Sequence, residues 1–436
     1  MTASQIKSVR GRRVWDSRGN PTVEVAVQLD DGSMGRAIAP AGASRGTREA
    51  VDLRDGGTAL RGLDVKSAVG NVNDVIAATL TGRNSTDQAG IDEALIALDG
   101  TPLKGNLGGN AMVATSLAVL NAAAAYVRKP LWRYVADAYG GQPSIPLPEI
   151  QIFGGGAHAG RRVDVQDFMI MVPGASSFDE ALEMTSEIYT AAGSLMADKG
   201  HSVGVADEGG WWPVFDSNEE ALETLVKAIE LTGEKPGENV VISLDIAASE
   251  FGKDGQYRLA LEDRTLSSDQ MIRMLGGWLD AYPIASIEDP LSEADEDGMK
   301  SFTQAYGDRV QIIGDDYLVT NATLVEEAAR AGACNAVLIK VNQAGTVSEA
   351  VDTLVAAQKT GYRGIVSARS GETEDVAISH LSVGLNAGQL KVGSFTRSER
   401  MAKWNECLRI QDELGGKDFV GGKPLAQTWW GKARYG

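Results

Sequence analysis

Cysteine is nearly absent: the 436-residue chain holds two, Cys334 and Cys407. That excludes a disulfide framework and a zinc site built on thiolates. Histidine is almost as scarce, with His158, His201 and His380, and a lone histidine is more often structural than catalytic. Basic residues are in deficit, 41 Lys and Arg against 59 Asp and Glu, for a net charge of −18. Such a chain is a poor match to nucleic acid or to an acidic membrane surface. An anionic substrate is still compatible, because a local cluster of Lys, Arg and metal can oppose the global field. Residues 1–13 lack the apolar core of a signal peptide. The most apolar long stretch, 111–127, carries Thr115, Ser116 and Asn121 and is rich in alanine, which predicts a buried helix and not a membrane span. A soluble cytoplasmic protein is the expectation. The length predicts two domains, or one barrel with an appendage.

The chain does have a rhythm. Residues 240–244, 283–287, 310–314 and 336–339 are short apolar runs, and each ends on a polar side chain: Asp245, Glu288, Asp315 and Lys340. Residues 364–367 lead into Ala368-Arg369-Ser370, and 388–390 into Lys391. Short, β-branched runs are the pattern of buried parallel strands, and helical patterns at 323–331 and 346–360 lie between them. A recurrence of about 25–30 residues fits one strand, one helix and two turns. A series of such units closes most naturally into a barrel, whose chemistry sits at the C-terminal ends of the strands. Asp245, Glu288, Asp315, Lys340 and Lys391 all fall there.

Carboxylates converging on one barrel mouth repel one another unless a cation joins them. Oxygen-only ligands suit a hard ion, and magnesium is the default. A lysine among them suggests a base that removes a proton next to a carboxylate, with the metal stabilising the enediolate. One strand-end charge alone reads equally well as a cap or an ion pair; the series favours a site.

Ahead of the barrel, residues 23–29 and 34–38 read as a hairpin around Asp30-Asp31-Gly32, followed by helical patterns at 65–80, 88–98 and 110–127. A meander followed by helices, without strand–helix alternation, predicts a separate α+β domain. The division expected is residues 1–140 and 141–436, near Pro146 and Pro148. The glycine-containing stretches 40–46 and 154–160 read alone as turns. Residues 415–436 carry no clear pattern.

Six stretches make the chain similar to a known family. They are Asp16-Ser17-Arg18-Gly19-Asn20-Pro21-Thr22-Val23-Glu24, Gly42-Ala43-Ser44, Asp207-Glu208-Gly209-Gly210, Ser286-Ile287-Glu288-Asp289-Pro290, Lys340-Val341-Asn342-Gln343 and Arg369-Ser370-Gly371-Glu372-Thr373-Glu374-Asp375. With them the sequence resembles enolase (phosphopyruvate hydratase) over essentially its whole length. The resemblance implies an enolase-type (β/α)8-like barrel preceded by a smaller α+β domain. It implies magnesium-dependent dehydration of 2-phosphoglycerate to phosphoenolpyruvate, in a superfamily whose base is Lys or His. Carried onto this sequence, Lys340 removes the C2 proton and Glu208 is the general acid for the departing hydroxyl, with its pKa raised by neighbouring carboxylates. His158, Asp167, Arg369, Ser370 and Lys391 contact substrate, the Arg369-Ser370 pair holding phosphate and Lys391 the carboxylate. Asp245, Glu288 and Asp315 hold one magnesium ion, and Ser44, on a mobile loop, contacts a second that binds with substrate. A homodimer or higher homo-oligomer is implied as well.

The chain departs from the family at four positions. Arg45 stands where threonine is usual, Gly154 for asparagine, Asp167 for glutamate and Ala368 for histidine. The first half-reaction is left intact; Gly154, Asp167 and Ala368 alter the surroundings of the leaving hydroxyl, and Arg45 adds a cation on the loop that could change which anion is held. Two further readings follow: an enolase-like paralogue using the same chemistry on a related phospho or phosphono acid, as carboxyphosphonoenolpyruvate synthases do, and a noncatalytic scaffold on the fold. The intact charged set speaks against the scaffold.

Overall fold

The computed structural model describes residues 4–201, 203–416 and 418–435. The chain begins with an antiparallel three-stranded sheet, β1 (Ile6–Trp15), β2 (Pro21–Leu29) and β3 (Met34–Ile38), in sequential order. The expected hairpin is therefore the second half of a meander. Val23, Val25, Val27 and Leu29 of β2 are fully buried. The helix Gly109–Tyr126 covers this sheet and is buried along nearly its whole length. No single helix among the described residues is long and apolar enough to cross a membrane.

Eight strands then close a barrel: β4 (Leu147–Gly154), β5 (Asp167–Met171), β6 (Val241–Asp245), β10 (Ile284–Glu288), β11 (Gln311–Gly314), β12 (Ala336–Ile339), β13 (Arg363–Ser367) and β14 (Gln389–Ser394). A small excursion, β7 (Gly252–Lys253), β8 (Gln256–Leu259) and β9 (Arg264–Ser267), stands outside it. The barrel strands from β6 onward (β6 and β10 to β14) pair in parallel, as the rhythm predicts. β5 does not: it runs antiparallel to both β4 and β6. Its first residue, Asp167, consequently lies beside Gly154 and Asp245, the last residues of its neighbours. Reversing one strand delivers an N-terminal residue to the barrel's C-terminal mouth.

Local chemistry starts the helices that wrap the barrel. Ser177, Ser217, Ser267, Asp295, Asn321 and Thr346 are N-caps whose side chains accept a backbone N–H from the first turn. Gly332 and Gly361 end two of them in the left-handed conformation. The barrel interior is partly polar: Ser243 donates to Glu149, Ser286 to Gln311 at 3.1 Å, and Gln311 to Gln389 at 2.8 Å. These bonds help to fix strand register, although Glu149 Oε2 is buried without a hydrogen-bond partner.

Candidate active site

At the C-terminal mouth, one small cavity of about 20 Å³ is lined by Ser44, His158, Asp167, Glu208, Asp245, Lys340, Arg369, Ser370 and Lys391, together with Gln166 and Ala368. Nine of the eleven residues singled out from sequence thus share one wall system. Glu288 and Asp315 stand directly behind it, each bonded to a lining lysine.

The charges are arranged as interlocking pairs. Lys391 Nζ lies 2.9 Å from Asp245 Oδ2, 2.7 Å from Glu288 Oε2 and 3.8 Å from Asp167 Oδ2. Lys340 donates to Asp315 Oδ2, whose other oxygen accepts from Gln343 at 2.8 Å. Burial works against the charge of both lysines. It is outweighed by Asp245 and Glu288 for Lys391, and by Asp315 for Lys340, so both are held above the ordinary lysine range. Burial raises the Glu288 carboxyl well above its usual value, and the neighbouring Asp245 adds to this.

His158 bridges the other wall. Its Nδ1 is 3.0 Å from Asp167 Oδ1, its Nε2 is 2.9 Å from Ser370 Oγ, and Glu208 lies 3.7 Å from the ring. Burial opposes the imidazolium, but Asp167 and Glu208 prevail and push its pKa up to about 9. Glu208 does not follow the sequence expectation. Burial raises its pKa, yet His158, Arg400, Lys391 and Lys340 together hold it below the usual carboxylate value. Cations surround it, where carboxylates had been expected to dominate.

Arg369 is fully engaged. Its guanidinium takes Glu49 at 2.9 and 3.2 Å and the Ser44 carbonyl at 3.1 Å. Ser44 therefore meets the site through its backbone, and the loop that bears it is drawn onto Arg369. Arg45 points elsewhere: half-exposed, it lies 3.9 Å from Asp52 and does not line the cavity. Glu49 and the wholly buried Arg400, which donates to the carbonyls of Arg369 and Val392 at 2.7 and 2.8 Å, were not foreseen. No spacing in the sequence marks either. Gln343 lay inside a recognised stretch without being assigned a role, and Gln166 directly precedes Asp167.

The donor set fits a hard divalent cation. Glu288 Oε1 is buried with no hydrogen-bond partner, and the carboxylates of Asp245 and Glu288 already converge on a positive charge, the Lys391 ammonium. All ligating atoms are oxygens, which suits magnesium. Among the described residues, two groupings have ligating atoms all within 4.8 Å of one another, His158 with Asp167 and Glu208, and Asp289 with Asp315 and Asp316; Asp245, Glu288 and Asp315 do not form such a grouping. Asp289 is committed to structure there, accepting the backbone N–H groups of Asp315 and Asp316 at 2.9 and 2.8 Å.

Two family models match the chain: "Enolase, N-terminal domain" over residues 6–135 and "Enolase, C-terminal TIM barrel domain" over residues 142–428. A curated relative, Enolase 1 of Desulfitobacterium hafniense (strain Y51), is 48% identical over 418 residues, which cover 95% of this chain and 95% of that protein.

Proposed function

We infer the reaction from the premise that this chain belongs to the enolase family. It is a phosphopyruvate hydratase-type lyase, and its reaction is the magnesium-dependent dehydration of 2-phosphoglycerate to phosphoenolpyruvate. The residue roles are our proposal. What supports them is that a lysine and a glutamate, Lys340 and Glu208, line one cavity with a cationic wall between and beside them.

Lys340 is the base at C2. It is held protonated by Asp315 in the ion-paired arrangement, so it becomes a base only as that carboxylate is engaged elsewhere. Magnesium held by Asp245, Glu288 and Asp315 would supply positive charge beside the substrate carboxylate, which a departing C2 proton makes more electron-rich. Lys391 turns from Asp245 and Glu288 to that carboxylate, and Arg369 with Ser370 takes the phosphate, for which a guanidinium fork is suited. Glu208 is the acid for the C3 hydroxyl. An anionic substrate that draws off Lys391 and Lys340 removes two of the charges holding its pKa down, and this prepares it to donate. His158 and Asp167 stand beside it at the leaving-group wall. A second ion contacted by Ser44 on substrate binding, a homodimer and a cytoplasmic location complete the reading.

The test is direct. Purified protein is mixed with magnesium and 2-phosphoglycerate in deuterated water, and both C2 exchange and phosphoenolpyruvate are followed. Product formation is the expected result. Exchange without product would show Lys340 at work but a different second step, the outcome a paralogue acting on a related phospho or phosphono acid would give.

A further inference from the structure

Asp167 is one methylene shorter than the glutamate its family carries, and nothing in its own strand makes up the difference. The side chain opposite does. Gln151, on β4 and fully buried, donates its Nε2 to Asp167 Oδ1, and its Oε1 accepts the Gly210 N–H at 2.8 Å. Both ends of the amide are therefore satisfied in a single orientation. The β4–β5 register shifts between Gln151 and Phe153, the kind of irregularity that re-aims side chains near active sites. With His158 Nδ1 at 3.0 Å on the same Oδ1, one carboxylate oxygen is saturated, and the other, Oδ2, faces Lys391 at 3.8 Å.

This arrangement needs room that two glycines provide. A Cβ on Gly210 would stand 2.4 Å from Gln151 Oε1; one on Gly154 would stand 3.1 Å from that oxygen and 2.7 Å from the Ala206 Cβ. A side chain at 154, such as the asparagine usual there, would press first on Ala206 and would be tight against Gln151. Two of the chain's departures, Gly154 and Asp167, thus both adjoin Gln151.

We propose that Gln151 is the positioning residue that sets the short Asp167 carboxylate for hydroxyl departure and ties it, through the Gly210 N–H, to the turn carrying Glu208. This deepens the proposed function and rests on it for the role of Asp167. Gln151 touches no reacting atom. Its effect is to hold Oδ1 against His158 and leave Oδ2 toward the cavity.

Gln151→Met keeps the bulk and removes the amide. In the magnesium-loaded protein, phosphoenolpyruvate formation is expected to fall about 100-fold, the usual effect of misplacing a group by about 1 Å, with KM and C2 exchange retained. Moving the methylene across the bond should restore the span: Gln151→Asn combined with Asp167→Glu recovers dehydration that each single change loses. With three histidines in the chain, the His158 Nδ1–H resonance can be followed without turnover, and it should shift in Gln151→Met. An unmoved resonance overturns the proposal whatever the rates. An equal loss of exchange and dehydration, or no rescue in the double variant, overturns it in favour of a merely structural role. Should the unsubstituted protein form no phosphoenolpyruvate, the reaction assigned above fails, and the resonance still decides whether Gln151 sets Asp167.

Discussion

Lys391 occupies the place where a cation is wanted, and replacing it should reveal how strongly. Lys391→Met keeps the length of the side chain and removes its charge. The ammonium makes two contacts under 3 Å, 2.9 Å to Asp245 and 2.7 Å to Glu288, with Asp167 at 3.8 Å. Each charge-assisted bond is worth about 1.5–3 kcal/mol, so the pair amounts to about 3–6 kcal/mol. Removing one partner of a buried pair typically costs about 3–5 kcal/mol because the other charge is stranded, and the two estimates agree. Without metal, the variant should therefore be less stable by about 4 kcal/mol. Magnesium reverses the comparison. In the unsubstituted protein it must displace Lys391 from Asp245 and Glu288; in the variant those carboxylates are free. An ion at a thousand times its Kd contributes about 4 kcal/mol, enough to restore most of the loss. Urea unfolding with a chelator and with magnesium measures both quantities. The reasoning is refuted if magnesium stabilises the two proteins equally, or if the metal-free variant is as stable as its parent.

Three other substitutions probe separate parts of the account. Lys340→Ala should abolish C2 exchange while the fold is kept, and exchange that persists in deuterated water removes Lys340 as the base. Ala368→His restores the ring usual at this wall of the cavity and should raise formation of phosphoenolpyruvate; no gain would show that the missing ring is compensated. Far from the site, His380 and then Arg409 hold the half-buried Glu406 at a pKa of about 2, below its ordinary 4.5, with burial opposing. A depressed carboxylate contributes stability above its unfolded pKa and loses it as pH falls through the folded one. Glu406→Gln should therefore cost about 1 kcal/mol at neutral pH after solvent screening, and the gap should narrow between pH 4.5 and 2. A gap that stays constant down to acid would contradict the pairing.

β13 and β14, with weaker runs, followed from the spacing, and β6, β10, β11 and β12 were legible because each is a short apolar run ending in a charge. β4 was not, since Glu149 and Gln151 interrupt it; both are buried and face partners that the sequence does not reveal, Ser243 for one and Asp167 for the other. The reversal of β5 was equally hidden. A fully buried strand reads the same in either direction, so no pattern in Asp167–Met171 says that its first residue, not its last, reaches the mouth. β1 alternates poorly, with exposed Lys7, Arg10, Arg12 and Arg13 around a few buried positions. The charged residues of the site were recognisable by type and by strand-end position. Their pairings were not, and pairing decided the direction for Glu208: counting nearby carboxylates predicts a raised pKa, while His158, Arg400, Lys391 and Lys340 lower it.

Those pairings also explain how a chain of net charge −18 can admit a polyanion. Around the cavity, Lys340, Lys391, His158, Arg369 and Arg400 face Asp167, Glu208, Asp245, Glu288, Asp315 and Glu49. The mouth is locally almost neutral, so the global field is cancelled where binding occurs. A neutral, ion-paired cavity is a poor receptor for a divalent cation alone, which would strand Lys391, and a poor one for a phosphorylated carboxylate alone, which would strand Asp245 and Glu288. Under the proposed roles, each arrival would release the partner that the other needs: the cation would take the carboxylates and free the lysines, and the anion would take the lysines and free the carboxylates. The proposed roles therefore predict that cation and substrate binding are coupled through Lys391 and Lys340. Under the rule of reciprocal linkage, substrate must raise the affinity for magnesium by the same factor that magnesium raises the affinity for substrate.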